Sequence, residues 1–323
     1  THRVTLTLRP DAHMTVRANE AERAKLSAIK SQLSNAEREA IITQAKALEA
    51  RQELQEDDSI LPQVTLADIP VDMHYTAGTH ESIAGYHLRC YGAGTNGLLY
   101  QQVVIKLPEL SEQELQLLPV YALALTEVGF GTLDYLAVQN LQAQRVGSLT
   151  AKAAIRSTGS NPQNLDGYLI VSAKALAKNA ELTTELIHST LSQARFDEHD
   201  RLRELVAQAR ARREQGVPGS GHVLAMTAAS AGMAPGAKLN HDLGGLGGLT
   251  QLMALDDSLA DPAALESLSA ALEAIHTRIK HAPRQFLLVG EDEQLPHYRQ
   301  LLEKYWPAAT QASFAPLNLP AVS

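Results

Sequence analysis

The stretch LLYQQVVIKLP (98–108), SEQELQLLPVYALALTEVGFGT (111–132), LDYLAVQNLQAQ (133–144) and VGSLTAKAAIRST (146–158) decides the fold of this chain. Leu98 to Leu107 is a largely apolar run of strand length, closed by Pro108. Ser111 followed by Glu114 has the capping-box spacing, in which each side chain satisfies the other residue's free backbone N–H, so a helix opens there. A shorter helix and a second strand follow. The order strand, helix, short helix, strand predicts an α+β domain with a mixed sheet backed by helices.

The pattern extends both ways. Downstream, Leu165 to Ser172 reads as a strand, and four helical stretches follow at about 173–193, 198–215, 222–232 and 262–280. Residues 216–219 (Gly-Val-Pro-Gly) break the chain between two of them. Pro235 to Leu249 is glycine-rich and reads as a bend. Gln285 to Val289 reads as a strand and His297 to Tyr305 as a last helix. Upstream, Met73 to His80 and Tyr86 to Tyr91 are strand candidates. Thr95-Asn96-Gly97 is a turn signal of the kind that joins hairpin strands.

Further upstream, Asn19 to Gln55 is built from good helix formers and broken once, where Ser34 and Glu37 form a second capping box. Leu26, Ile29 and Leu33 share one helical face; Ile41, Ala45 and Leu48 share another. This predicts a helical hairpin over residues 11–59, one long kinked helix being the alternative. Pro62 and Pro70 flank an extended linker. Val4, Leu6 and Leu8 alternate with polar residues, so residues 1–10 read as a strand. A lone starting strand needs a sheet, and the reading assigns it as the last strand of an upstream domain, its addition to the sheet of this chain being the alternative. The remainder, 60–323, is the α+β domain.

The composition narrows the classes of function. With 323 residues the chain can bury a substantial core. A formal net charge of −8 leaves no basic footprint for nucleic acid. No apolar run reaches the ~20 residues of a membrane helix. The one cysteine, Cys90, excludes an internal disulfide and reads as a small buried apolar residue.

Several motifs invite a chemical reading. Gly92 to Gly97 matches G-x-G-x-x-G, but a dinucleotide site needs those glycines between a strand and a helix, and here a strand follows. Gly244 to Gly248 lacks the Lys-Ser/Thr of a phosphate loop. Residues 195–199 (Arg-Phe-Asp-Glu-His) stand one residue from His-x-x-Glu-His, and Arg195 has no lone pair to give a metal. Glu198 and His199 read instead as the exposed first turn of a helix. His80, Glu81 and His87 lack helical metal-site spacing. Ser220 lies in no G-x-S-x-G elbow, its glycine positions holding Pro218 and His222.

The unit at 98–158 resembles the half-barrel unit of pitrilysin-type zinc peptidases, in the presequence-protease branch. Other landmarks in matching order are residues 95–100 (Thr-Asn-Gly-Leu-Leu-Tyr), 125–129 (Leu-Thr-Glu-Val-Gly), Gly131-Thr132, 173–176 (Ala-Lys-Ala-Leu), 201–205 (Arg-Leu-Arg-Glu-Leu) and Gly221-His222. In the zinc-binding copy of the unit the first helix carries His-x-x-Glu-His shortly before a Gly-Thr. Counting back from Gly131-Thr132, those positions fall on Ala122, Leu125 and Thr126. The resemblance therefore implies a degenerate copy, with no catalytic, cofactor-binding or metal residue in this chain and zinc expected in a missing N-terminal domain.

The resemblance implies a non-catalytic segment, hinge plus chamber-wall domain, of a metalloendopeptidase that degrades short unstructured peptides. Its partners would be the remaining domains of the parent and, in the intact enzyme, peptide substrates; neither nucleic acid nor a membrane is expected. Copies could pair through the exposed hairpin. The alternative is a stand-alone, non-peptidase binding or scaffold subunit on the same fold. Low cysteine content points to the cytoplasm, with an organelle matrix as the alternative.

Overall fold

The structure is a computed structural model that describes residues 11–54, 59, 61–71, 77–158 and 161–307. The chain divides into two compact units, Thr1–His74 and Tyr75–Ser323. The strand read at residues 1–10 and part of the candidate at 73–80 lie outside the described residues.

The first unit contains α1 (Met14–Gln32) and α2 (Asn35–Gln52). The break is where the sequence places it. The Ser34 N–H donates to the Glu37 carboxylate at 2.8 Å, and the Glu37 N–H donates to Ser34 Oγ at 3.3 Å. The reading as two helices holds, and α1 begins five residues before Asn19, behind an Asp11–Arg17 ion pair. No residue of either helix is buried. The stretch between Pro62 and Pro70 is not wholly extended: Leu66–Asp68 forms one 3-10 turn, capped by Thr65.

The second unit is built on one six-stranded sheet. Its strands are β1 (Thr79–Ile83), β2 (Tyr86–Gly92), β3 (Leu98–Lys106), β4 (Ser148–Thr158), β5 (Asn161–Leu176) and β6 (Arg284–Gly290). The spatial order is β1-β2-β6-β3-β5-β4. β6 runs parallel to β2 and antiparallel to β3, and the other pairs are antiparallel, so the sheet is mixed as expected.

That order corrects one expectation. β2 and β3 are not a hairpin, because β6 lies between them. The turn chemistry itself holds, since Asn96 and Gly97 both have positive φ, 52° and 76°. The tight hairpin is β1–β2, closed by Ala84 and Gly85 at φ 48° and 85°. The first strand accordingly runs to Ile83 rather than ending at His80.

Alternation along the strands gives the sheet two unlike faces. Leu88, Cys90, Leu99, Val103, Ile105, Leu169, Val171, Phe286 and Leu288 are buried on one. Tyr100, Lys152, Lys174, His87 and Arg89 are exposed on the other. The helices of this unit are α3 (Glu112–Leu125), α4 (Tyr135–Arg145), α5 (Ala180–Gln193), α6 (His199–Gly216), α7 (Gly221–Ser230), α8 (Pro235–Gly244), α9 (Leu246–Ser258), α10 (Pro262–His281) and α11 (Leu295–Tyr305). α3, α5, α8 and α11 pack against the strands.

Two further corrections concern boundaries. Residues 173–176 continue β5, and the helix starts at Ala180, because Ala173 and Ala175 face Gln101 and Leu99 across the ladder and are buried there. The supposed bend at 235–249 is the whole of α8 and the start of α9. Gly245, Gly247 and Gly248 let two helices meet closely rather than break them. A Cβ at Gly248 would lie 2.4 Å from the Leu243 carbonyl oxygen, so only glycine fits where the start of α9 crosses the end of α8.

Candidate functional site

The candidate site is the C-terminal half of α3 and the loop after it. α3 begins with its capping box, the Ser111 N–H donating to Glu114 at 2.8 Å and the Glu114 N–H to Ser111 Oγ at 3.3 Å. Pro119 inside the helix supplies no N–H, leaving the Leu115 carbonyl without its helical donor. Burial offsets this: Leu115, Leu118, Val120, Tyr121, Ala122, Ala124 and Leu125 are all buried.

The three positions counted back from Gly131-Thr132 therefore stand on one helix end. Ala122 and Leu125 lie in the helix and Thr126 at its C-cap. They are 4%, 1% and 7% exposed, so they pack into the core rather than open onto solvent. Alanine and leucine side chains carry no lone pair, and a neutral buried hydroxyl is a poor substitute for imidazole or carboxylate. These residues do not fit a zinc ion. Among the described residues, no three His, Cys, Asp or Glu side chains gather within reach of a metal.

The loop from Val128 to Asp134 is held by backbone and by one carboxylate. Gly131 has φ +58°, a conformation that favours glycine, and its N–H donates to the Gln193 carbonyl at 2.9 Å. The Arg195 N–H donates to the Gly129 carbonyl at 3.0 Å. Glu198 takes two backbone donors, Gly129 N–H at 2.5 Å and Tyr135 N–H at 2.8 Å. Tyr135 is the first residue of α4, so Glu198 satisfies one of the free donors at that helix start. This corrects the reading of Glu198 as an exposed first-turn residue: it is half-buried, precedes the helix, and ties α6 to the α3–α4 loop.

A second tie runs through Glu127. Its carboxylate accepts from Arg201 at 2.7 Å and from the Gln139 amide at 3.0 Å, while the Arg201 guanidinium lies 4.8 Å from the Tyr135 ring centre. On the core side of α3, the Tyr121 hydroxyl and His276 Nδ1 are 3.0 Å apart, with Phe196 against both rings. Burial pushes the His276 imidazole down to about 4 and raises the Tyr121 phenol above its ordinary range. His276 is thus a neutral core residue of the kind that a sequence search for basic or catalytic histidines overlooks.

The remaining motifs resolve structurally. In the Gly92–Gly97 loop the Ala93 N–H donates to the Gly290 carbonyl at 2.9 Å, and the Gly97 N–H to the Glu291 carboxylate at 3.3 Å. A carboxylate of the chain itself stands where a phosphate reading would need a ligand. His80 and His87 sit exposed on paired strands, opposite Arg89 and Ser82 respectively. Ser220 ends a short 3-10 turn. Asp197 pairs with Arg195 at 2.8 Å, which lowers its carboxyl below the usual range. Cys90 is buried, and burial raises its thiol.

Comparison with known proteins bears on this arrangement. A family model described as "Peptidase M-16C associated" matches residues 8–255. The mitochondrial presequence protease of Danio rerio is 30% identical over 253 residues, covering 76% of this chain and 24% of that protein. Presequence protease 1, chloroplastic/mitochondrial, of Arabidopsis thaliana is 25% identical over 277 residues, covering 85% of this chain and 25% of that one. The chain thus spans about a quarter of the length of the curated relatives it matches. The crystal structure of the periplasmic protease PqqL from Escherichia coli superposes with a TM-score of 0.41 at 17% identity, over 90% of this chain and 30% of that one, too loosely to bear on fold or activity.

Proposed function

The chain belongs to the family of peptidase-associated domains that this model describes, and on that premise we propose that it is a non-catalytic segment of a zinc metalloendopeptidase that degrades short unstructured peptides. One observation carries this reading. The strand–helix–helix–strand unit is complete, yet the positions corresponding to a metal motif hold Ala122, Leu125 and Thr126, all packed into the core. A sheet with one buried and one open face is suited to line a chamber. The exposed α1–α2 hairpin is suited to join two parts of a larger molecule. The partners are then the remaining domains of the parent, which hold the zinc, and the peptides that the whole enzyme cuts. No helix among the described residues is long and apolar enough to cross a membrane. The relatives are named as mitochondrial and chloroplastic, which favours the organelle matrix over the cytoplasm.

The test is to measure zinc content and peptide cleavage for this chain alone, then mixed with the remaining domains of its parent. The expected result is no tight zinc and no cleavage alone, and cleavage on mixing. Stoichiometric zinc with chelator-sensitive cleavage by the chain alone would sink the reading. Failure of every mixture to gain activity would favour a stand-alone binding subunit.

A further inference from the structure

A groove of about 450 Å³ opens between α3, α6, α8 and α9, away from the loop described above. Its walls are apolar: Leu117, Val120 and Leu123 on α3, Leu243 at the end of α8, Leu252 and Leu255 on α9. The volume is at the small end of the range for ligand sites, about 300–1,000 Å³, so an occupant is limited to a few residues or a short chain.

The polar groups at the groove are few. α6 presents Ala209, Arg212 and Arg213 to it, positions that share one helical face. Arg210, between Ala209 and Arg212, is neutralised by Asp256, Asp257 and Glu214, and Asp242 at the groove is taken by Lys238. Arg213 is half-buried and its guanidinium makes no hydrogen bond or ion pair among the described residues. Burial holds its guanidinium below the ordinary value, with no neighbouring charge to offset it. A partly desolvated guanidinium beside an apolar wall is complementary to an anion carried on an apolar body. Arg212, beside Arg213, is exposed to solvent and likewise has no ion pair among the described residues, and the remaining groups, Gln113, Gln116 and Gln251, are primary amides with no partner among the described residues. Each offers a donor and an acceptor, which a peptide backbone can pair with and an alkyl chain cannot.

We propose that this groove binds the C-terminal end of a short apolar peptide, with Arg213 taking the terminal carboxylate and the leucine walls taking the side chains. The site stands on the groove alone and does not depend on the degenerate motif, so the two readings fail separately.

The test uses the full chain and four probes: acetylated trileucine as the free acid, the same peptide as its C-terminal amide, dodecanoate, and acetate. The free acid is expected to bind at least about tenfold more tightly than the amide, a difference of ~1.4 kcal/mol. Arg213→Gln, with unchanged circular dichroism, is expected to erase that preference, and Arg213→Lys to keep part of it. Ala209→Trp, which fills the groove and leaves both arginines, is expected to abolish binding of the acid. Equal binding of acid and amide, or an unchanged preference in Arg213→Gln, would overturn the proposal. So would tighter binding of dodecanoate than of trileucine, which would make the occupant a lipid, and so would no binding of any probe at millimolar concentration.

Discussion

Helices α2 and α3 open with the same four-residue device and meet opposite fates. Ser34 and Glu37 cap one with hydrogen bonds of 2.8 and 3.3 Å; Ser111 and Glu114 cap the other with the same two distances. α2 then buries nothing, with Ile41, Ile42 and Leu48 more than half exposed. α3 buries seven residues and tolerates an internal proline. A cap fixes where a helix begins, whereas burial decides what keeps it folded. α2 relies on propensity and its cap, while α3 relies on the core.

The largest test of that contrast is a pair of truncations. Leu118 is 0% exposed, and Leu118→Ala should cost about 2–5 kcal/mol, the range for emptying a well-packed site. Ile42 is 54% exposed, and Ile42→Ala should stay within ~0.5 kcal/mol. Denaturant midpoints for the two variants measure the difference. A large loss at Ile42 would mean that the hairpin is covered in solution, by a second copy, and sedimentation at rising concentration would then show the pairing.

The two units should also part company with pH. The His276 imidazole is pushed down to about 4 by burial, and secondarily by Lys280. An ordinary histidine titrates near 6.5, so as pH falls through that value the unfolded chain takes up a proton that the folded one refuses. Stability of the α+β unit is therefore full above pH ~6.5 and declines toward pH ~4, by at most about 3 kcal/mol. His276→Gln should flatten this slope. The Glu37 carboxyl is instead held below its ordinary value by the Ser34 backbone N–H. Its contribution is present above the ordinary carboxylate pKa and lost only as pH falls below it. Helicity from α1 and α2 should thus persist through the window in which the core weakens. Thermal melts at pH 7, 6, 5 and 4 separate the two, and parallel decline from pH 6.5 would contradict the assignment to His276.

An intermediate effect is expected at Glu198. Its carboxylate serves Gly129 and Tyr135, partners 69 and 63 residues away in sequence. Glu198→Ala leaves two partly buried N–H groups without an acceptor, a loss of about 1–3 kcal/mol. Hydrogen exchange at Gly129 and Tyr135 should accelerate with the loss. Unchanged exchange there would mean that the backbone bonds of Gly131 and Arg195 hold the loop unaided.

What is legible in the sequence follows the range of the interactions involved. Both capping boxes, the 98–158 unit and the turn at Asn96-Gly97 are readable, because each is local. β6 entering between β2 and β3 is not, since its pairing joins residues nearly 200 positions apart. Gly245, Gly247 and Gly248 suggest a bend because they serve a close approach between two helices, visible only once both are placed. Glu198 misleads for the same reason, its partners being remote. Ala122, Leu125 and Thr126 are located by family resemblance to a motif they do not contain, and the helix bearing them is readable from its cap and period. The groove at Arg213 carries no signal, since α3, α6 and α9 meet only in the fold.

The smallest effect is the most discriminating. Ser34→Ala and Ser111→Ala remove the same hydroxyl from the same box, at about 0.5–2 kcal/mol of helix stability each. In α3 that loss falls on a cooperative core, so it should appear as a shift of the global denaturant midpoint with the helix content at pH 7 unchanged. In α2 nothing buried couples the helix to a core, so the same loss should appear as fraying: lower ellipticity and faster exchange at Glu37 and Arg38, with the midpoint of the α+β unit unmoved. If Ser34→Ala instead shifted the global midpoint as Ser111→Ala does, the hairpin would be part of one folding unit with the sheet, and the contrast between a capped helix and a buried one would lose its basis.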